Sequence, residues 1–509
     1  MANRAAGPTP ADRGGLLWAA AIFGLAAALR LYALGETFPV DDEFMQFFEA
    51  LHPGGFAGFL KVTGQNPHHL LLDALSTFLV SRIGSSLWWL RLPSVFWGVL
   101  AVGGVWRLAA SLEGEARGRL AALLLAVSLL HVDWSRRCDF YALLTALSVF
   151  STLAFFRLLV DPRRWGWYGF WAVLFIYGHP YFVLVAAFHG AFLLAETPAA
   201  RRAAVLRGFL PAWGLAGLLF IPWFLYSSST LLDRRLFDFD WIAGTMTLKQ
   251  FLARLPLYAG QAPEVGPMRQ WRFSIPSLAS AAYLALYAVS LVAFLRRGAG
   301  RLVRFAHLLL PFALLTVTAL DLHYHYFFSP RQLLWALPFY LLLVADGALL
   351  CVGRLGPRFQ ANAVRGLAAG FTALALPGCW DAVSFQKARM QDQAAIVENV
   401  ARHVRPGDVL GFEGDGILAS FLWFYDKEAF RRCDDLRLIE GHITFLVSPG
   451  LRARRGAADN SVRLLGRRKD RHDRPEGLWL FRGSLYDLSV YPPVRGGTAS
   501  PVSSGLRGQ

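Results

Sequence analysis

Three consecutive acids, Asp41-Asp42-Glu43, follow a long apolar segment, Leu16–Leu34. Charge beside a bilayer is costly to hold, so acids kept there point to chemistry. A carboxylate at the end of a membrane helix is placed to take a proton from a hydroxyl at the membrane surface, the work of a general base. The plainer alternative is a hydrated acidic loop. A second set of residues suits an anion and a sugar. It comprises Asn66-Pro67-His68-His69, Trp134-Ser135-Arg136-Arg137-Cys138-Asp139-Phe140-Tyr141, Tyr177-Gly178-His179-Pro180-Tyr181, and Asp321-Leu322-His323-Tyr324-His325-Tyr326 with Arg331. Guanidinium groups match phosphate oxygens, while imidazole, hydroxyl and carboxyl groups orient hydroxyls and move protons. The candidates for substrate contact are Asp41, Asn66, His68, Arg136, Arg137, Asp139, Tyr141, His179, His323, Tyr324, His325 and Arg331.

Several of these have a bland reading too. The His323–Tyr326 run also reads as an interfacial aromatic belt. Its two histidines at i and i+2 suit a metal, but no further ligand stands near them in sequence. Arg331, opening an apolar segment, either snorkels to a head group or holds a lipid phosphate. His179 beside Pro180 fits a simple helix end, and Arg136, Arg137 and Asp139 fit an exposed ion-pair cluster worth little. Cys138, Cys351, Cys379 and Cys433 are scattered without zinc or redox spacing. No metal and no other cofactor is expected.

The elements that would position these residues are membrane helices. Of 509 residues, 55% are hydrophobic and 17% charged, the balance of a polytopic helical membrane protein rather than a soluble one. The apolar runs are long and do not alternate, which excludes an outer-membrane barrel. Leu16–Leu34 is too long for the core of a cleaved signal and lacks a small-residue cleavage site, so it reads as a retained first span. Further spans are expected near Leu92–Ala110, Arg117–Val132, Tyr141–Val160, Trp165–Gly178, Tyr181–Ala195, Leu206–Tyr226, Pro276–Leu295, Leu302–Leu320, Leu333–Val352 and Gly366–Trp380.

The net charge of +16 would suggest nucleic acid on a soluble protein. Here the arginines fall in short loops, and no nucleic-acid module is present. With the N-terminus inside, successive inward loops carry Arg107, Arg117 and Arg119; Arg157, Arg163 and Arg164; Arg201, Arg202 and Arg207; Arg296, Arg297, Arg301 and Arg304; and Arg354, Arg358 and Arg365. That is the positive-inside bias. His68–Ile83 is apolar enough to suggest a span, yet it carries Asp73 and Arg82, and counting it would move every later arginine cluster outside. It therefore reads as an interfacial helix on the outer leaflet. All the chemistry-bearing groups then share the outer face. The Ser227–Ser274 loop is long enough to be functional. Beyond Trp380, Gln391–Val404 has a helical period, while Asp408–Phe412, Ile443–Val447 and Gly477–Phe481 look like strands. No internal repeat is found.

The order of these motifs resembles a family. An acid pair follows span one, and an Asn-Pro segment leads an amphipathic helix. Arg91-Leu92-Pro93-Ser94 opens the next span, Trp134–Tyr141 and Tyr177–His179 lie at outer turns, and Ser329-Pro330-Arg331 precedes Leu337-Pro338. This is similar to the bacterial branch of the GT-C membrane glycosyltransferases, the group of protein O-mannosyltransferases and lipid A aminoarabinose transferases. The resemblance spans roughly Leu16 to Val352. It implies a polyprenyl-phosphate sugar donor and inverting transfer to an acceptor hydroxyl at the outer face. Residue by residue, it implies that Asp42 is the catalytic aspartate, Glu43 its companion, Arg331 the ligand of the donor phosphate, and His179 the histidine after the fifth span. Two departures stand out. The family often has His-Pro-Pro where this chain has Asn66-Pro67-His68, and Ser-Gln-Glu-Ala-Arg-x-Tyr where it has Ser135–Tyr141.

The expected architecture is an α-helical polytopic membrane protein, GT-C-like, with about eleven spans and an outer-face interfacial helix, plus a small C-terminal α/β soluble domain. By residue, 1–380 form the transmembrane domain, with outer loops at 36–91 and 227–275; 381–495 form a periplasmic domain, and 496–509 a disordered tail. The expected setting is the bacterial inner membrane, with the active site on the periplasmic side. The acceptor is a glycan, lipid or protein. Two other functions use similar parts: a transporter or flippase of lipid-linked sugars, and an O-antigen-type ligase or polymerase. The acid pair and the interfacial helix set the transferase apart, and transporters more often carry repeat-related broken helices.

Overall fold

The computed structural model describes residues 10–39, 43, 58, 60, 70–84, 86–233, 248–249, 252, 255, 275–323 and 330–403, and five strands between 409 and 491. The chain forms two compact units. One holds Met1–Gly35 and Glu49–Phe385; the other holds Glu36–Phe48 and Gln386–Gln509. The Ser227–Ser274 loop lies largely outside the described residues, and the tail from Gly496 wholly so.

Among its described residues the first unit consists of helices joined by turns. Its helices are α1 (Pro10–Leu31), α2 (Leu70–Arg82), α3 (Leu87–Glu113), α4 (Glu115–Val127), α5 (Leu129–Ser135), α6 (Tyr141–Val160), α7 (Trp165–Gly178), α8 (Phe182–Glu196), α9 (Ala199–Asp233), α10 (Ile275–Arg297), α11 (Arg301–His323), α12 (Leu337–Val352) and the first part of α13 (Pro357–His403). Each of the eleven apolar segments is helical. Among the described residues, five helices are long and apolar enough to cross a membrane, or six if the bent pair α4–α5 is one span. The segment read as interfacial is the 13-residue α2. At 1.5 Å per residue it extends about 20 Å, short of the roughly 30 Å hydrocarbon core.

Burial ranks the helices. In α6, 83% of the most apolar window is buried, against 28% in α9 and 22% in α13. The central helix α6 is apolar on every side, as a helix surrounded by others must be. Small residues let neighbours close in. A Cβ at Gly98 of α3 would collide with the Ser135 side chain at the end of α5, and one at Gly347 of α12 would overlap the Leu286 backbone of α10.

The break between α4 and α5 positions the turn that follows α5. The two helices meet at 60°, because Ser128 adopts extended backbone and its hydroxyl accepts the His131 amide at 3.3 Å. The carbonyls freed at the end of α4 are taken by Arg30 of α1. Its Nη1 donates to Ala126 at 3.0 Å and its Nη2 to Leu125 at 3.3 Å.

In the second unit, α13 runs on to His403, and five strands follow: β1 (Val409–Glu413), β2 (Ile443–Leu446), β3 (Val462–Arg467), β4 (Leu478–Arg482) and β5 (Tyr486–Tyr491). They form one mixed sheet in the order β2-β1-β3-β5-β4. Only β1 and β3 pair in parallel; the other neighbours are antiparallel. The strands read from sequence coincide with β1, β2 and β4, whereas β3 and β5 were not anticipated.

Candidate active site

The turn between α5 and α6 is buried. Arg136, Arg137 and Asp139 are 5%, 6% and 2% exposed, which corrects the bland reading of them as a surface ion-pair cluster. Arg137 donates to Asp133, one turn earlier, at 2.5 Å. Its guanidinium carbon also lies 4.3 Å from the Trp134 ring centroid. Arg331 comes from a short 3-10 turn, Pro330–Leu333, and reaches the same place. Its guanidinium carbon is 5.2 Å from the Trp134 centroid and 5.7 Å from that of Tyr141. Two cations nearly 200 residues apart in sequence thus share one indole, with Tyr141 edge-on to it at 4.7 Å. Aromatic faces stabilise guanidinium groups, so one indole helps to hold both in place.

Asp139 and His179 join this pair through Phe140. Asp139 accepts the Phe140 amide at 2.7 Å through Oδ1, and its carbonyl receives the Ser94 hydroxyl at 3.2 Å. That contact gives the serine of the Arg-Leu-Pro-Ser motif a physical role: it ties α3 to the α5–α6 turn. Phe140 stacks on His179 with centroids 4.3 Å apart. The His179 Nδ1 accepts the Tyr181 amide at 3.1 Å, and the Tyr181 hydroxyl donates to Gln332 at 3.3 Å. The structure therefore brings Arg137, Asp139, Tyr141, His179 and Arg331 into one continuous set of contacts. His323 ends α11 and is exposed. Glu43 is helical and 1% exposed. Asp41, Asp42, Asn66, His68, Tyr324 and His325 lie outside the described residues.

Arg136 has other work. Its Nη1 donates to the carbonyls of Leu29 at 2.9 Å and Arg30 at 3.1 Å, the unsatisfied acceptors at the end of α1.

This arrangement sits in a known fold. The crystal structure of ArnT from Cupriavidus metallidurans bound to undecaprenyl phosphate superposes with a TM-score of 0.57, covering 94% of this chain and 98% of that one at 10% identity. Its apo form gives 0.56 with the same coverage and 11% identity. The fold is that of ArnT. The GT-C architecture implied by the sequence resemblance is therefore present. Residues 67–226 match the family described as dolichyl-phosphate-mannose-protein mannosyltransferase. The Archaeoglobus fulgidus oligosaccharyltransferase overlaps more weakly, at a TM-score of 0.46 and 14% identity over 77% of this chain and 58% of that one, a likeness too slight to build on. No curated protein matches the chain by sequence.

Within this ArnT-like frame, sequence reading passed over a second group of residues. Arg30 is fully buried. Besides the α4 carbonyls, its Nη2 donates to His131 Nδ1 at 2.8 Å, which fixes the imidazole proton on Nε2. Arg30 thus holds the end of α4 while Arg136 holds the end of α1, a reciprocal clasp. Arg91 adds a third tie, from Nη1 to the Leu34 carbonyl at 2.6 Å. A lone arginine at the end of an apolar run normally reads as snorkelling, and the partners lie 95 to 101 residues away, so no local signal marked it. Among the described residues no group of three or more His, Cys, Asp or Glu is placed to hold a metal.

Proposed function

We propose that this chain is a GT-C-type membrane glycosyltransferase that takes a sugar from a polyprenyl-phosphate donor and passes it to an acceptor hydroxyl at the outer face. The observation that carries the reading is the meeting of Arg137 and Arg331 over Trp134 in a fold shared with a protein crystallised with undecaprenyl phosphate. Guanidinium groups held on an aromatic face in a half-dry site attract a phosphate more strongly than they would in water.

In this reading the donor phosphate rests on Arg331 and Arg137. Asp42, with Glu43 as companion, takes the proton from the acceptor oxygen as that oxygen attacks the anomeric carbon from the face opposite the phosphate. Configuration inverts because attack and departure occupy opposite sides. The lipid phosphate leaves as a stable anion, so the departing charge is met by fixed cations and needs no general acid. No metal is needed for a monophosphate leaving group. The arginine-rich loops set the inner side, leaving the α5–α6 turn, the α7–α8 turn and the Arg331 turn on the outer, periplasmic side of a bacterial inner membrane.

Binding of undecaprenyl phosphate to the detergent-purified full chain tests the reading. Saturable binding that falls about 10- to 100-fold in Arg331→Ala is expected for a lost charged hydrogen bond. Equal binding by wild type and by the Arg137→Ala/Arg331→Ala double variant would remove the phosphate from this site.

A further inference from the structure

Asp321 is placed badly in three ways. It lies in the last turn of α11, where the aligned peptide dipoles gather negative charge and disfavour an acid. It is buried, with 3% of its surface exposed. Its side chain is hydrogen-bonded by Gln332, but the second oxygen, Oδ2, is buried and has no hydrogen-bond partner among the described residues. A buried acceptor without a donor costs about 1–3 kcal/mol. Folded chains rarely tolerate such a group unless something outside the fold completes it.

The neighbours indicate what completes it. Gln332 directly follows Arg331 in the same turn and receives the Tyr181 hydroxyl. From Arg331 the contacts run over Tyr141, to Phe140 at 4.2 Å, to His179 at 4.3 Å and to Tyr181 at 4.6 Å. Through Gln332 the circuit closes beside Arg331. Flat rings of this kind cover the C–H faces of a pyranose, while a carboxylate beside them accepts its hydroxyls. Asp321 is thus joined, through Gln332, to the residue that holds the donor phosphate in the proposed reaction. The sugar is one bond from that phosphate.

We infer that Asp321 Oδ2 accepts a hydrogen bond from a hydroxyl of the sugar being transferred and so helps determine which donor the enzyme accepts. The assignment rests on the lipid-phosphate donor reading above. It makes Asp321 a contact to the sugar and leaves the phosphate to Arg137 and Arg331.

The test compares binding of bare undecaprenyl phosphate with that of the same lipid carrying glucose, mannose or glucosamine, using the full chain in nanodiscs. Wild type should prefer at least one sugar-bearing lipid. Asp321→Leu should bind the bare lipid as wild type does and lose about tenfold of that preference, the effect of one hydrogen bond to a charged group. Asp321→Asn keeps an acceptor oxygen and should retain most of it. A residue kept only for structure behaves differently: its loss would lower thermal stability and bare-lipid binding together. An unchanged preference in Asp321→Leu, or no preference in wild type, would overturn the assignment. Equal losses in Asp321→Asn and Asp321→Leu would overturn the hydroxyl as the group held. If wild type fails to bind even the bare lipid, the donor reading falls and Asp321 falls with it; intact bare-lipid binding with an unmoved preference overturns Asp321 alone.

Discussion

At the scale of single residues the account turns on Trp134. Both arginines lean on its ring, and a desolvated cation–π contact contributes up to about 2 kcal/mol. Trp134→Leu should therefore weaken undecaprenyl phosphate binding by about tenfold, and Trp134→Phe by less, as isothermal titration would show. Equal affinity in all three proteins would mean that the indole does not orient the guanidinium groups. Arg331→Lys should rescue only part of the Arg331→Ala loss, because an ammonium cannot form the paired bonds of a planar fork. The turn was legible as a candidate site, but its burial was not. Trp134–Tyr141 concentrates charge and aromatic rings within eight residues, a density that an apolar chain does not produce idly. The Asp321–Gln332 contact was not legible, since an isolated acid at a helix end looks like an interfacial residue until its burial is known.

Among elements, the clasp between α1 and the α4–α5 break is the part most open to test. Arg30 satisfies main-chain carbonyls at the end of α4, and Arg136, just after α5, those at the end of α1. Replacing Arg30 by Met strands buried acceptors at about 1–3 kcal/mol each. Thermal unfolding in detergent should show a clear loss of stability, with Arg30→Lys intermediate; a wild-type melting temperature in Arg30→Met would deny the clasp any structural weight. Gly98→Ala probes the same region sterically, because the added Cβ strikes the Ser135 side chain and stands 3.1 Å from Arg30 Nε. It should destabilise by about 1–3 kcal/mol, the usual cost of overpacking. Other charges tie helix ends on the opposite side of the bundle. Glu113 caps the start of α11 by accepting the Leu302 amide at 2.9 Å, and Arg304 grips Glu196 of α8 at 2.7 Å. Hydropathy marked all of these helices, but not the pairings between their ends, which depend on contacts remote in sequence. β3 was hidden because its Val462–Arg467 run does not alternate cleanly, whereas β5 does alternate from Tyr486 to Val490 and was passed over.

For the whole molecule, orientation is the open prediction. Arginine placement puts the loops at Arg207 and Arg358 inside. With the native cysteines Cys138, Cys351, Cys379 and Cys433 replaced by serine, Arg207→Cys and Arg358→Cys should resist an impermeant maleimide applied from outside. Labelling of either in intact cells would invert the topology and place the α5–α6 turn on the wrong side. The helical class and the ArnT-like fold were readable because membrane helices announce themselves by composition and because the polar motifs fall in a telling order between the apolar segments. The central claim is that the acids after α1 drive sugar transfer, and Asp42 carries it. General-base catalysis contributes about 10²–10⁴-fold, and Asp42→Asn keeps the shape while removing the proton acceptor. Mass spectrometry of envelope glycans tests this without knowing the acceptor in advance, in cells lacking the chain and supplied with wild type or Asp42→Asn. The account predicts that a sugar-bearing species vanishes on deletion, returns with wild type and stays absent with an Asp42→Asn protein that is made at normal levels. Full restoration by Asp42→Asn, or an envelope unchanged by deletion, would contradict it.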